Sequence, residues 1–162
     1  GCHKCAKLKH CVFDDRVNEF LAIAGGFDGF LFGTPVHWAA ADGFLTSFMG
    51  RAFYVDQLAS LNTFYLKPAA GVISARRAGT TPTWDQINKY FGLMQMPIVT
   101  SQYWNHVHGR TPDEVRQDIE GMQTMRTLAR NMAYMLRCRE AASKAGVPMP
   151  KREPVTFFNF IH

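Results

Sequence analysis

No apolar run in this chain approaches the ~20 residues that a membrane-spanning helix needs. No segment with a basic start, an apolar middle and a small-residue cleavage site is visible either. Cysteine is scarce and unevenly spread: of four, Cys2, Cys5 and Cys11 fall in the first 11 residues and Cys138 stands alone. Without a secretion signal this is not a disulfide framework. Nor is there the basic stripe interleaved with aromatics that a non-specific nucleic-acid binder carries. The formal charge is +5, yet the bases are scattered apart from Lys4, Lys7 and Lys9 and the pair Arg76–Arg77. These absences predict a soluble, cytoplasmic chain with no membrane and no nucleic acid among its partners. Internal repeats, low-complexity stretches and linkers are missing too, so residues 1–162 read as one domain. What the chain does have is core material, with 47% apolar residues and 13% aromatics.

The pattern along the chain alternates helices with short apolar strands. Residues 14–24 predict a helix, with Asp14 and Asp15 facing its free N–H groups and Gly25-Gly26 stopping it. The run 29–32 predicts a strand buried on both faces, followed by a Gly-Thr-Pro turn at 33–35. Residues 41–55 predict a second helix, 56–66 an irregular stretch and 68–74 a second buried strand. Thr83 to Gln86 match a capping box for a third helix, and 97–100 predict a third short strand. A last helix begins at Thr111-Pro112-Asp113-Glu114 and carries an apolar stripe from Met122 to Leu136, with Gly146 and Pro148 ending it. The aromatic tail around Phe157–Phe160 is expected to pack on this chain or on a neighbour. Short apolar strands alternating with helices indicate α/β architecture, a parallel sheet covered on both faces.

In such sheets ligands sit beyond the carboxyl ends of the strands. Two loops leave predicted strand ends with unusual composition. Thr34, Pro35, Val36, His37 and Trp38 combine a stiff turn, free N–H donors and a flat indole. Ser74, Ala75, Arg76, Arg77 and Gly79 combine a small strand-end residue, two guanidinium groups and a glycine that permits close approach. Taken singly, each reads as a surface loop.

Taken together with other markers, the chain resembles the flavodoxin-like NAD(P)H-dependent FMN reductases, including the branch related to iron–sulfur flavoproteins and WrbA-type quinone reductases. The resemblance is carried by Cys2-x-x-Cys5, Cys11-x-x-Asp14-Asp15, Gly33-Thr34-Pro35-Val36-His37-Trp38, Phe48-x-x-Arg51 and Lys67-Pro68-Ala69-Ala70. It continues through Ser74-Ala75-Arg76-Arg77-Ala78-Gly79 and Ser101-Gln102-Tyr103-Trp104-Asn105. It implies a flavodoxin-like three-layer sandwich with FMN as cofactor and NAD(P)H and a small electron acceptor as partners. Residues 34–38 would run along the flavin ring and ribityl chain, and residues 74–79 would face its other edge. Tyr103 and Trp104 would lie near the pocket. The protein's part is to position and tune the ring, so no side chain is assigned a catalytic role.

Three departures qualify the resemblance. Gly50 stands where the family commonly has aspartate, and His37 where it commonly has tyrosine. The loop that grips the FMN phosphate after the first strand is absent, so the first βαβ unit is expected to precede Gly1. Cys2, Cys5 and Cys11 leave three readings open: an iron–sulfur cluster, a zinc site completed by histidine, or uncomplexed thiols. His106 and His108 read as a polar loop wall. The function expected is an FMN-dependent oxidoreductase acting as a homodimer or homotetramer. The rival classes are a flavodoxin-like electron carrier with a metal centre and a cofactor-free oligomerisation module.

Overall fold

The computed structural model describes residues 1–154, Thr156, Phe158 and Phe160. Its elements are α1 (Cys5–Leu8), α2 (Arg16–Ala24), β1 (Phe30–His37), β2 (Ala40–Ala41), α3 (Gly43–Ala59), β3 (Ala69–Ala75), α4 (Thr80–Leu93), β4 (His106–His108), α5 (Pro112–Gln117) and α6 (Ile119–Lys144). The sheet order is β2-β1-β3-β4. β1, β3 and β4 run parallel, with Phe30 opposite Ala69 and Ile73 opposite His106, while β2 folds back antiparallel on Val36 and His37.

Two apolar layers sandwich the sheet. On one face Phe30, Phe32, Ala69 and Ile73 meet Met49, Phe53, Ile87 and Phe91 from α3 and α4. On the other, Ala70 meets Leu128 and Met132 of α6. The small residues Ala69-Ala70-Gly71 let helices approach closely: a Cβ on Gly71 would stand 3.0 Å from Ile87 Cγ2. The apolar stripe of the last helix is thus a core-facing stripe at Leu128 and Met132.

Several boundaries differ from the sequence expectations. β1 does not stop at Phe32; it runs through the expected turn to His37. Proline is tolerated in an edge strand, and beside residues 30–35 no strand covers β1's outer flank among the described residues. Only one face of β1 is buried, because Leu31 is 61% exposed where Phe30 and Phe32 are buried. The third parallel strand is His106–His108; Ile98 makes only an isolated bridge to Ala69. The chain leaves the sheet after Val99 and returns at Asn105, whose buried side-chain N–H donates to Val99 C=O at 3.1 Å and pins the excursion.

α4 begins at Thr80 behind Gly79, so Thr83 is a buried helical residue rather than a cap. Pro82 fits the first turn, where its missing N–H costs nothing. The last helix is broken at Asp118, whose ψ of 84° ends α5 and whose carboxylate caps α6 through Gly121 N–H. α3 reaches Ala59, four residues into the stretch 56–66 expected to be irregular. Phe157, Asn159 and the last two residues lie outside the described residues; Phe158 and Phe160 are exposed.

Candidate functional site

β1, β3 and β4 run in the same direction, so their carboxyl ends share one edge of the molecule. There the two predicted loops meet. Pro35 pairs with Ser74, and Val36 lies against Gly79. Gly79 sits at φ +91°, a left-handed conformation that suits glycine. A Cβ there would also come within 2.9 Å of Val36 Cγ1. The sequence therefore brings residues 34–38 and 74–79 side by side through strand register and one obligatory glycine.

The individual residues divide by availability. The Thr34 hydroxyl is spent internally, donating to Pro35 C=O and accepting from Asp42 N–H, both at 2.9 Å. It closes the turn from β1 into α3. His37 is exposed and stands 3.3 Å from Asp42 through its Nδ1. Trp38 is 99% exposed on a backbone at φ 62°, an unusual place for a large non-glycine residue. Together His37, Asp42, Gly43, Phe44 and Ser47 line an open groove of about 370 Å³.

Ala75 is buried and Ser74 half-buried, whereas Arg76 and Arg77 reach solvent. Among the described residues, no backbone N–H of residues 76–79 donates to a protein acceptor. α4 lacks a side-chain cap as well. The strand end thus presents free N–H donors beside an exposed indole.

α2 and α3 are tied together beside this edge. Asp15 caps α2 through Val17 N–H at 3.1 Å and accepts from Arg51 Nη2 at 2.6 Å. The Arg51 hydrogen bond holds the Asp15 carboxyl below its ordinary pKa against the opposing effect of burial. Cys2, Cys5 and Cys11 line a smaller apolar cavity of about 140 Å³ with Tyr54. Cys5 and Cys11 are buried in the core, and Cys11 is fixed by a reciprocal pair of hydrogen bonds with Asn18 at 2.8 and 2.9 Å.

The third strand end was missed by sequence reasoning, which put it at residue 100. His108, Gly109 and Arg110 occupy it, with Ala75 opposite His108 and Gly109 N–H donating to Ala75 C=O at 3.0 Å. The signal was present as the polar–apolar–polar alternation His106-Val107-His108 ahead of a glycine. Tyr103 and Trp104 leave the sheet between Ile98, bridged to Ala69, and His106, paired with Ile73. Their rings reach His106, whose Nδ1 is buried with no partner among the described residues. Burial, then the neighbouring His108, pushes the His106 pKa below its ordinary value of 6.5.

Comparison with known proteins agrees with this arrangement. The chain is 26% identical over 142 residues to an iron–sulfur flavoprotein of Methanocaldococcus jannaschii, a match covering 85% of this chain and 73% of that one. Its fold is that of a Trp repressor binding protein from Bacillus subtilis, with TM-score 0.56, 16% identity and coverage of 74% and 70% of the two chains. A flavodoxin, WrbA-like protein from Agrobacterium tumefaciens is similar at TM-score 0.55 and 13% identity, covering 81% of this chain and 78% of that one. These likenesses make the sandwich a flavodoxin-like fold. Residues 2–111, which include both loops, match the NADPH-dependent FMN reductase family. The chain belongs to that family of flavin-dependent oxidoreductases, with FMN as its cofactor.

Proposed function

We propose that the chain takes hydride from NAD(P)H onto FMN and passes the electrons to a quinone, another flavin or a similar small acceptor. The observation that carries this reading is the joined carboxyl end of β1 and β3. It offers an exposed Trp38 beside an unsatisfied run of N–H groups at residues 76–79. FMN supplies the hydride and electron chemistry when bound. Trp38 would cover the ring, Pro35 and Val36 would stiffen its seat, and the N–H groups of residues 76–79 would bond its polar edge. Ser74 and Ala75 keep that seat narrow, while Arg76 and Arg77 bring positive charge to an anionic cofactor. His37, with Asp42 beside it, would border the ring; neither is assigned a proton-transfer step.

The rival electron carrier needs a metal centre, and iron–sulfur clusters want four cysteine thiolates. Residues 1–162 would contribute Cys2, Cys5 and Cys11 to such a centre, with Cys5 and Cys11 buried. Among the described residues no group of three histidines, cysteines or carboxylates is placed to hold a metal.

Residues 1–162 would form the greater part of one flavodoxin-like domain, completed by a strand, phosphate loop and helix along β1's open flank. The cytoplasm, where pyridine nucleotides are abundant, is the compartment this chemistry suits. Among the described residues no helix is long and apolar enough to cross a membrane. A homodimer or homotetramer would cover exposed Trp38, Phe44 and Phe158. Sedimentation should give at least twice the monomer mass at micromolar concentration; a monomer removes this part of the reading. The reaction itself is tested by stopped-flow mixing of FMN-loaded protein with NADPH. Rapid bleaching of the oxidised flavin band is expected, and a flavin that stays oxidised overturns the reductase assignment.

A further inference from the structure

Hydride transfer onto the flavin gives His37 and Asp42 no proton to move, but reduction of a quinone-type acceptor does. That reduction takes two electrons and two protons, and hydride brings only one of the protons. The other must reach a carbonyl oxygen from the protein or from water. Imidazole is the side chain that gives and takes a proton near neutral pH, and a positioned one speeds such a transfer about 10²–10⁴-fold.

His37 and Asp42 are held in one arrangement by the hairpin that ends β1. His37 pairs with Ala40 across the turn Trp38-Ala39, where Ala39 N–H donates to His37 C=O at 2.9 Å. Asp42 follows β2 directly, and its N–H donates to the buried Thr34 hydroxyl at 2.9 Å. Its Oδ1 accepts from Phe44 N–H at 2.8 Å and caps α3. One carboxylate oxygen is thereby committed to the helix, and the other, Oδ2, stands 3.3 Å from His37 Nδ1. The aspartate side chain is 25% exposed and the histidine 74%, so the acid is the fixed partner and the ring stays open to water.

A carboxylate only accepts, so the ring hydrogen facing Asp42 sits on Nδ1. Nε2 is then a lone pair in the neutral ring and an N–H donor in the protonated one. Protonated, it donates to a carbonyl oxygen; once the proton has moved, the same atom accepts from the hydroxyl it has made. One residue thus matches both the substrate and the product of quinone reduction. His37 and Asp42 share with Gly43, Phe44 and Ser47 the groove of about 370 Å³, in which Phe44 offers an aromatic wall. That volume falls within the ~300–1,000 Å³ of small-molecule sites.

This inference rests on the reductase reading, which brings an acceptor to the same edge. We infer that the groove beside α3 takes a quinone by a carbonyl oxygen, that His37 gives that oxygen a proton from Nε2, and that Asp42 positions the ring. Hydride supplies two electrons and one proton, His37 supplies the second proton, and its ring recovers one from water. The product is the hydroquinone.

The test compares two acceptors in the intact, FMN-loaded protein. The flavin is reduced photochemically, with no pyridine nucleotide present. It is then mixed with menadione, a naphthoquinone, or with ferricyanide, which takes an electron and no proton. In His37→Gln the ratio of the menadione rate to the ferricyanide rate should fall about a hundredfold. Asp42→Asn keeps a capping oxygen for α3 and loses the charge. Its ratio should fall about three- to fivefold, the worth of an exposed ion pair. An unchanged ratio in His37→Gln, or a fall shared equally by both acceptors, overturns the inference. A second readout needs no turnover. Histidine-selective nitrogen NMR, with His37 assigned as the signal missing from His37→Gln, should show the neutral wild-type ring protonated at Nδ1. Asp42→Asn should shift that hydrogen toward Nε2. A wild-type ring protonated at Nε2 overturns the inference as well. A flavin left oxidised by NADPH while the ratio still falls removes the reductase reading and keeps the proton donor. A flavin bleached by NADPH while the ratio stays fixed does the reverse.

Discussion

Trp38 combines two features that folding alone does not favour. Its indole is 99% exposed and its backbone is left-handed at φ 62°. Such a backbone costs about 1–3 kcal/mol in a non-glycine residue and collects at functional sites. A flat ligand laid on the indole would bury an aromatic face worth roughly 0.5–1.5 kcal/mol beyond its area. Trp38→Ala and Arg76→Ala should therefore each weaken FMN binding, by about tenfold for the first, in a fluorescence titration. Stability of the unliganded Trp38→Ala chain should move by less than ~0.5 kcal/mol, since nothing in the core touches that ring. Unchanged FMN affinity in both variants would remove the flavin from this edge. The meeting of the loops at residues 34–38 and 74–79 was readable beforehand, because glycine, proline and aromatic residues at a strand end have few structural uses. The internal use of the Thr34 hydroxyl was not, because its partner Asp42 is set by the β1–β2 hairpin and not by local sequence.

The elements best foreseen are those whose signals are local. Asp15 caps α2 and Thr111 caps α5, each accepting from an N–H two or three residues on. β3, buried on both faces, was legible as a continuous apolar run because β1 and β4 flank it and helices cover it on either side. The third parallel strand was not legible at its observed place. Pro97-Ile98-Val99 is the more apolar run, but it touches β3 only through the bridge from Ile98 to Ala69. The longer pairing goes to His106–His108, a segment of ordinary polarity. What decides between them is tertiary: Asn105, buried inside the molecule, bonds back to Val99, and its C=O accepts from Ile73 N–H at 2.9 Å. The same limit hid the break at Asp118. Asp118 ends α5 through its backbone, while its carboxylate caps α6 and accepts from His108 N–H, and only the last of these ties the helix to the sheet.

At the scale of the whole molecule the sheet is lopsided. Among the described residues β3 is paired on both flanks, while β1 carries a partner on its outer flank only at Val36 and His37. The same strand is uncovered on one face: Leu31 is 61% exposed and Gly33 is exposed beside it. α6 covers the neighbouring Ala70 but does not extend over Leu31. An apolar, unpaired edge is an aggregation hazard that folded proteins cover. A flavodoxin-like sheet has the strand order 2-1-3-4-5, which puts another parallel strand on the flank that is open here. Its crossover helix would fall on the face where Leu31 is bare, and the loop between them would supply the anion seat for the FMN phosphate. This completion can be tested with one substitution in two settings. In residues 1–162 alone, Leu31→Asp replaces an exposed side chain and should change the urea unfolding free energy by less than ~0.5 kcal/mol. In the intact protein, the same change would bury a carboxylate under a helix and should cost more than ~2 kcal/mol. The intact protein should also have a mass above the 18.3 kDa of these residues. Equal tolerance of Leu31→Asp in both settings would mean that the face stays open to water, and the completed sheet would have to be abandoned.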